Sequence, residues 1–159
     1  MSSVFYDSPI GVLLIREENS LITHVSFTNR TKGSIETSSQ CLISCMAELD
    51  LYFNRQLMQF TVPVCLKGSD FRVNCWQALM AIPYGQTVSY RQQAEAIGRP
   101  RAYRAVGGAN HHNPIAIIVP CHRVIGADGG LTGYGGGIEI KKYLLDLERE
   151  TLSNLGNIL

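Results

Sequence analysis

The chain has 159 residues, 45% of them hydrophobic and 17% charged, enough apolar material for one compact unit or two small lobes with cores of their own. A formal net charge of +1 excludes any argument from global charge for nucleic-acid, membrane or acidic partners, so such an argument must be local. No basic leader or long apolar stretch marks a signal peptide or membrane span, and Cys41, Cys45, Cys65, Cys75 and Cys121 are not spaced as a secreted disulfide framework, so a cytoplasmic protein with reduced thiols is expected.

In chain order, Val4-Phe5-Tyr6, Gly11 to Ile15 and the alternating Leu21, Thr23, Val25 and Phe27 predict a small β-meander. Leu42, Cys45, Met46, Leu49 and Phe53 then recur at helical spacing. Phe60, Val62, Val64 and Leu66 alternate around Pro63, which predicts an edge strand, since proline has no N–H to donate. A first α/β domain is expected over residues 1–67 and a second, mostly helical one over 68–159. There, Ser69 or Asp70 caps a helix with Val73, Trp76 and Met80 on one face, ended by Ile82-Pro83-Tyr84-Gly85. Ser89 and Gln92 have capping-box spacing. That helix ends at Gly98-Arg99-Pro100, where a further one begins and runs through Ala109, a pair like a helix-turn-helix. Asp128-Gly129-Gly130 predicts a wing-like hairpin joining Val124-Ile125 to Leu131-Thr132. A closing helix carries Ile140, Tyr143, Leu144 and Leu147 on one face.

The chemistry concentrates in Pro120-Cys121-His122-Arg123, after the apolar run Ile115 to Val119. A thiol needs a nearby base or cation to become an anion, and His122 and Arg123 offer both. Adjacent residues on a strand face opposite ways, so contact between Cys121 and His122 requires a turn or a water. Glu148 on the last helix is placed to orient the imidazole. Taken alone, Cys121 also reads as a core cysteine. Arg101, Arg104, Ala105 and Gly108 share a helical face that combines guanidinium groups with small side chains, and Arg91, Arg99 and Arg123 add local positive charge. A solvated charged face is the plainer reading of that pattern. Cys41 and Cys45 lack the paired ligands of a zinc site, and His111-His112 reads as a pair of exposed loop histidines. The glycine-rich Gly133-Tyr134-Gly135-Gly136-Gly137 lacks the continuation of a phosphate-binding loop.

Together, Asn113-Pro114, Ile117 to Ile125, Phe71-Arg72 with Trp76, Ile82 to Gly85, Ser89-Tyr90, Arg104 to Ala109 and Gly133-Tyr134 with Gly136-Gly137 resemble the O6-alkylguanine-DNA alkyltransferases, or methylated-DNA-protein-cysteine methyltransferases. Residues before about Leu66 match loosely. The resemblance implies a ribonuclease-H-like α/β lobe followed by a winged helix-turn-helix DNA-binding lobe. It implies direct repair by irreversible, single-turnover transfer of an alkyl group from O6-alkylguanine to Cys121, and leaves open whether O4-alkylthymine is a further substrate. His122 takes the thiol proton through a water, Glu148 orients His122, Tyr90 helps the base leave as a neutral species, and Asn113 supports the active-site turn. Arg104, Ala105, Gly108, Ala109 and Arg123 are implied as DNA-binding. Val119, Tyr134, Gly135 and Gly136 are implied to line the base pocket. No cofactor and no metal are expected. The partner is double-stranded DNA met through the minor groove with the damaged base flipped out, the protein is expected to be a monomer, and no membrane is involved.

The sequence departs from the family pattern at Asn110, in place of an apolar residue, and at His111-His112. No transcription-regulator domain precedes the lobes, so a stand-alone repair protein is expected. Two rival readings are a non-catalytic sensor of alkyl damage, against which Cys121 itself argues, and a cysteine hydrolase, which needs an oxyanion hole that nothing marks.

Overall fold

The computed structural model describes residues 1–158, and the chain divides into two compact units. One holds residues 1–67 together with Pro114–Ile118, and the other holds Gly68–Asn113 and the chain from Val119 onward.

The first unit is built on the expected meander. Strands β1 (Ser2–Ser8), β2 (Gly11–Glu18) and β3 (Leu21–Phe27) form an antiparallel sheet in that order. Register sets Val4 opposite Ile15 and Ile15 opposite Val25, so buried β-branched side chains meet across the ladder. Helix α1 (Gln40–Phe53) starts at Ser39, whose hydroxyl accepts from Leu42 N–H at 3.3 Å. It buries Leu42, Cys45, Leu49 and Tyr52, and the Tyr6 hydroxyl donates to Asp50 of the same helix. The edge strand expected over residues 60–66 does not form. Only a bridge survives, in which Ile22 N–H donates to Pro63 O at 2.9 Å and Cys65 N–H to Ile22 O at 2.8 Å. Pro63 cannot donate, and the Glu48 carboxylate takes the Thr61 and Val62 amides that a ladder would have used. The apolar run before the cysteine is likewise no strand: Ile115 bridges Val25, after which Ile117 turns at φ 72, a strained conformation for a β-branched residue.

In the second unit, α2 (Asp70–Met80) is capped by Ser69 and buries Cys75, Trp76 and Leu79. Met80, expected on that face, is exposed. Strand β4 (Val88–Ser89) leads into α3 (Tyr90–Ala96), whose Ser89–Gln92 capping box is complete. Helix α4 (Tyr103–His111) starts later than expected because the chain first makes a turn, closed by Ala102 N–H on Arg99 O at 2.9 Å. Trp76 Nε1–H donates to Ala109 O at 2.8 Å, and Gln93 and Asn110 exchange amide hydrogen bonds of 2.9 and 2.7 Å, which fix α4 against α2 and α3.

The expected wing hairpin does not pair. Gly126 N–H donates to Gly130 O at 2.8 Å, so the chain turns at Asp128-Gly129-Gly130 as predicted. Yet β5 (Val124–Ile125) pairs in parallel with β4, and Leu131-Thr132 forms no ladder. The Thr132 carbonyl is committed instead to Tyr90 and Lys141 side chains. Helix α5 (Ile138–Ile158) buries Lys141, Leu144, Leu145, Leu147, Glu148 and Thr151. Its inner stripe is rotated from the expected one, and Tyr143 is exposed. Among the described residues no helix is long and apolar enough to cross a membrane.

Candidate active site

Cys121 opens a one-turn 3₁₀ helix, Cys121–Arg123, held by Cys121 N–H on Val119 O at 2.9 Å and Arg123 N–H on Pro120 O at 3.0 Å. The turn replaces strand geometry at the point where the sequence required it. Asn113, just after α4, donates through Nδ2 to Val119 O at 2.7 Å and to Cys121 Sγ at 3.2 Å. One amide thus fixes both the entrance to the turn and the sulfur.

His122 is fully buried, with Nε2 at 2.6 Å from Glu148 Oε2. An ionised carboxylate only accepts, so Nε2 carries the hydrogen and the neutral ring keeps its lone pair on Nδ1. Among the described residues Nδ1 has no hydrogen-bond partner. Burial lowers the imidazole's pKa, outweighing the hydrogen bond and charge of Glu148 that raise it, while Arg123 and Lys141 act with burial.

Arg123 corrects the sequence reading twice. Its side chain is buried rather than presented to DNA, with Nε on Glu148 Oε1 at 2.8 Å, Nη2 on Glu148 Oε2 at 3.2 Å and Nη1 on the Ile82 carbonyl at 2.8 Å. Its charge is spent on Glu148, so it does not drive ionisation of the thiol. Glu148 also accepts from Gly85 N–H at 3.0 Å. Gly85 has φ +77, and an added Cβ would lie 2.1 Å from Leu152 Cδ1, so only glycine fits there. Burial alone would raise the Glu148 pKa, but the hydrogen bonds and charges of His122 and Arg123 hold it far below the ordinary carboxylate range.

Burial pushes the Cys121 thiol pKa up, with the Asn113 hydrogen bond and the Lys141 charge partly offsetting it. The resting sulfur is therefore a neutral thiol beside a neutral, carboxylate-oriented imidazole, an arrangement suited to proton removal during attack rather than to a standing thiolate. Lys141 was not anticipated from the sequence. It is buried, and its Nζ donates to Thr132 O at 3.1 Å, the carbonyl that also accepts from the Tyr90 hydroxyl at 3.1 Å. The available signal was its spacing, two helical turns before Glu148 on the same face of α5.

Tyr90 is the first residue of α3, and its phenol pKa is raised by burial, so it remains a donor. It lines a cavity of about 360 Å³ with Arg104, Gly107, His111, Thr132 and Gly133. Arg104, Ala105 and Gly108 are exposed on α4. Ala109 is not: it sits in a buried cluster with Cys75, Ala94 and Val106, which corrects its place among the DNA-facing residues. Asn110 is buried in its pair with Gln93, while His111 and His112 are exposed at the end of α4. Val119 and Tyr134 are buried, Gly135 is exposed, and Gly136 is half-buried. Burial raises the Tyr134 phenol pKa well above its ordinary value, followed by the charges of Cys121 and Glu148. Among the described residues no group of three or more His, Cys, Asp and Glu is placed to hold a metal ion.

A thiol next in the chain to an imidazole that a carboxylate orients is the arrangement a cysteine nucleophile needs, set here among short helices. Residues 70–150 match the family model "6-O-methylguanine DNA methyltransferase, DNA binding domain", and residues 1–66 match "6-O-methylguanine DNA methyltransferase, ribonuclease-like domain". The chain belongs to the 6-O-methylguanine DNA methyltransferase family. It is 48% identical over 147 residues to the methylated-DNA--protein-cysteine methyltransferase of Mycobacterium tuberculosis, covering 90% of this chain and 89% of that one. It is 44% identical over 158 residues to the protein of that name from Methanosarcina barkeri, covering 94% and 99%. The crystal structure of Mycobacterium tuberculosis OGT in complex with DNA superposes with a TM-score of 0.85 at 47% identity, covering 92% of each chain. The fold is the family's pair of domains, an N-terminal sheet lobe and a helical DNA-binding domain.

Proposed function

We propose that this protein repairs DNA by moving an alkyl group from guanine O6 onto Cys121, a methylated-DNA-protein-cysteine methyltransferase that acts once. The observation that carries the reading is the Cys121–Arg123 turn, in which half-buried Cys121 is followed by fully buried His122 with Nε2 at 2.6 Å from Glu148. His122 Nδ1 takes the thiol proton through a water, and Glu148 stabilises the imidazolium that results. The sulfur attacks the alkyl carbon, the S–C bond forms as the C–O6 bond breaks, and Tyr90 passes a proton to guanine so that it leaves neutral, recovering one through water as the His122 imidazolium gives up the proton taken from the thiol. The thioether is stable, so the protein is consumed. The base carries the group and the sulfur accepts it, which balances the reaction without a cofactor.

A guanine stacked in a duplex hides O6 from the half-buried thiol of Cys121, so the base must be flipped out. Helices α3 and α4 act as a helix-turn-helix with α4 in the minor groove, where exposed Ala105 and Gly108 permit close approach and Arg104 fills the gap in the stack. Val119, Tyr134, Gly135 and Gly136 border the base. The protein works as a monomer.

The test is intact-protein mass spectrometry with peptide mapping after incubation with duplex DNA containing O6-methylguanine. One added methyl at Cys121, absent from Cys121→Ser, is the expected result. Tight binding with no change in mass would leave a damage sensor in its place.

A further inference from the structure

Arg104 is exposed near the start of α4 and is the side chain assigned above to the gap in the base stack. Among the described residues it has no carboxylate or carbonyl partner, and its one described contact is the ring of Tyr103, with the guanidinium carbon 5.9 Å from the centroid. The same ring receives Arg91 of α3 at 4.8 Å. Both distances lie within reach of a cation–π attraction. Tyr103 is itself fixed, because it packs on the buried cluster of Cys75, Ala94, Val106 and Ala109. It also borders the cavity that Tyr90 and Arg104 line.

We infer that Tyr103 is a positioning residue for base extrusion: anchored in the core of the helical unit, its ring holds the Arg104 guanidinium at the mouth of the cavity before DNA arrives. Arg91 on the same ring leaves like charge beside Arg104, which favours the outward pose over collapse onto α3. A long arginine otherwise samples many rotamers, and fixing one in advance removes an ordering cost from the step that inserts it. Tyr103 touches no reacting atom, so its effect falls on extrusion and not on alkyl transfer itself.

This inference rests on the function proposed above, and the test separates the two. Rates of Cys121 alkylation are compared on duplex DNA containing O6-methylguanine and on free O6-benzylguanine, which needs no extrusion, for the full chain and for Tyr103→Phe, Tyr103→Leu, Arg104→Leu and the Tyr103→Leu/Arg104→Leu double variant. An exposed cation–π contact is worth a few-fold in an equilibrium, so Tyr103→Leu is expected to slow the duplex reaction by about three- to five-fold. It should leave the free-base rate within about twofold, while Tyr103→Phe, which keeps the ring, matches the parent. In the Arg104→Leu background Tyr103→Leu should add nothing. Equal slowing on both substrates, a loss in Tyr103→Phe, no loss in Tyr103→Leu, or a full further loss in the double variant would overturn the inference. A misfolded Tyr103→Leu protein would reveal itself through the double variant. Failure of the parent protein to alkylate on either substrate would instead sink the proposed function.

Discussion

His122 and Glu148 are joined by a 2.6 Å contact between two side chains that have no solvent exposure, and the same carboxylate neutralises Arg123. Replacing Glu148 by Gln keeps the shape and removes the charge. The imidazolium then loses its stabilising partner and Arg123 its counter-charge. Single-turnover alkyl transfer is expected to slow by about ten- to a hundred-fold, and denaturant unfolding to show a loss of about 3–5 kcal/mol. An unchanged transfer rate would remove Glu148 from the mechanism.

Arg123 offers a second test, because sequence and structure assign it different places. The guanidinium makes two bonds to Glu148 and one to the Ile82 carbonyl. A lysine cannot reproduce that planar fork. Arg123→Lys is therefore expected to lower the melting temperature while leaving the salt dependence of duplex binding unchanged, since a residue that meets no phosphate releases no counterion. A shallower salt slope, measured by titration at several ionic strengths, would return Arg123 to the DNA surface.

Arg123 and Ala109 mark where sequence reasoning ran out. Local chemistry was legible: the capping box at Ser89, the meander alternation and the adjacency of Cys121 and His122 all depend on residues close in the chain. Which way a side chain points depends on partners far away. Arg123 pairs with a residue 25 positions on, and the Ala109 carbonyl accepts from a tryptophan 33 positions back. Lys141 is not legible in the sequence because a lysine ordinarily reads as surface, and only its register with Glu148 points inward. The wing failed for a similar reason, since the partner of Val124-Ile125 is a strand some 36 residues earlier.

Gly108 separates folding from function. An added Cβ there meets nothing within 4 Å, so the helix has no steric need of glycine. Gly108→Ala is expected to raise stability by about 0.5–1 kcal/mol, the usual gain inside a helix. If α4 enters a groove backbone-first, the methyl group should also weaken duplex affinity. Calorimetry and binding measured on the same preparation check both, and a more stable variant with unchanged affinity would show that the Gly108 position does not approach DNA.

The acid behaviour follows from His122 and Glu148 together. Burial holds the His122 pKa below its ordinary value of about 6.5, so the ring is a free base at neutral pH. On acidification the transfer rate should therefore fall at a lower pH than an ordinary imidazole base would give. Stability moves differently. In the unfolded chain His122 takes up its proton near pH 6.5, while the native ring resists, so just below that pH the unfolded state binds more protons and stability falls as pH falls. The Glu148 contribution, from a depressed native pKa, is complete above the ordinary glutamate value of about 4.3 and is lost in stronger acid. Urea midpoints should drop first between pH 6.5 and the lower native pKa of His122, then again below about pH 4.3. A His122→Asn variant should show a smaller first drop, the remainder coming from His24, whose pKa burial and then the charges of Arg16 and Lys67 also lower. A midpoint constant from pH 7 to pH 5 in the parent protein would mean that His122 is not held neutral by its burial.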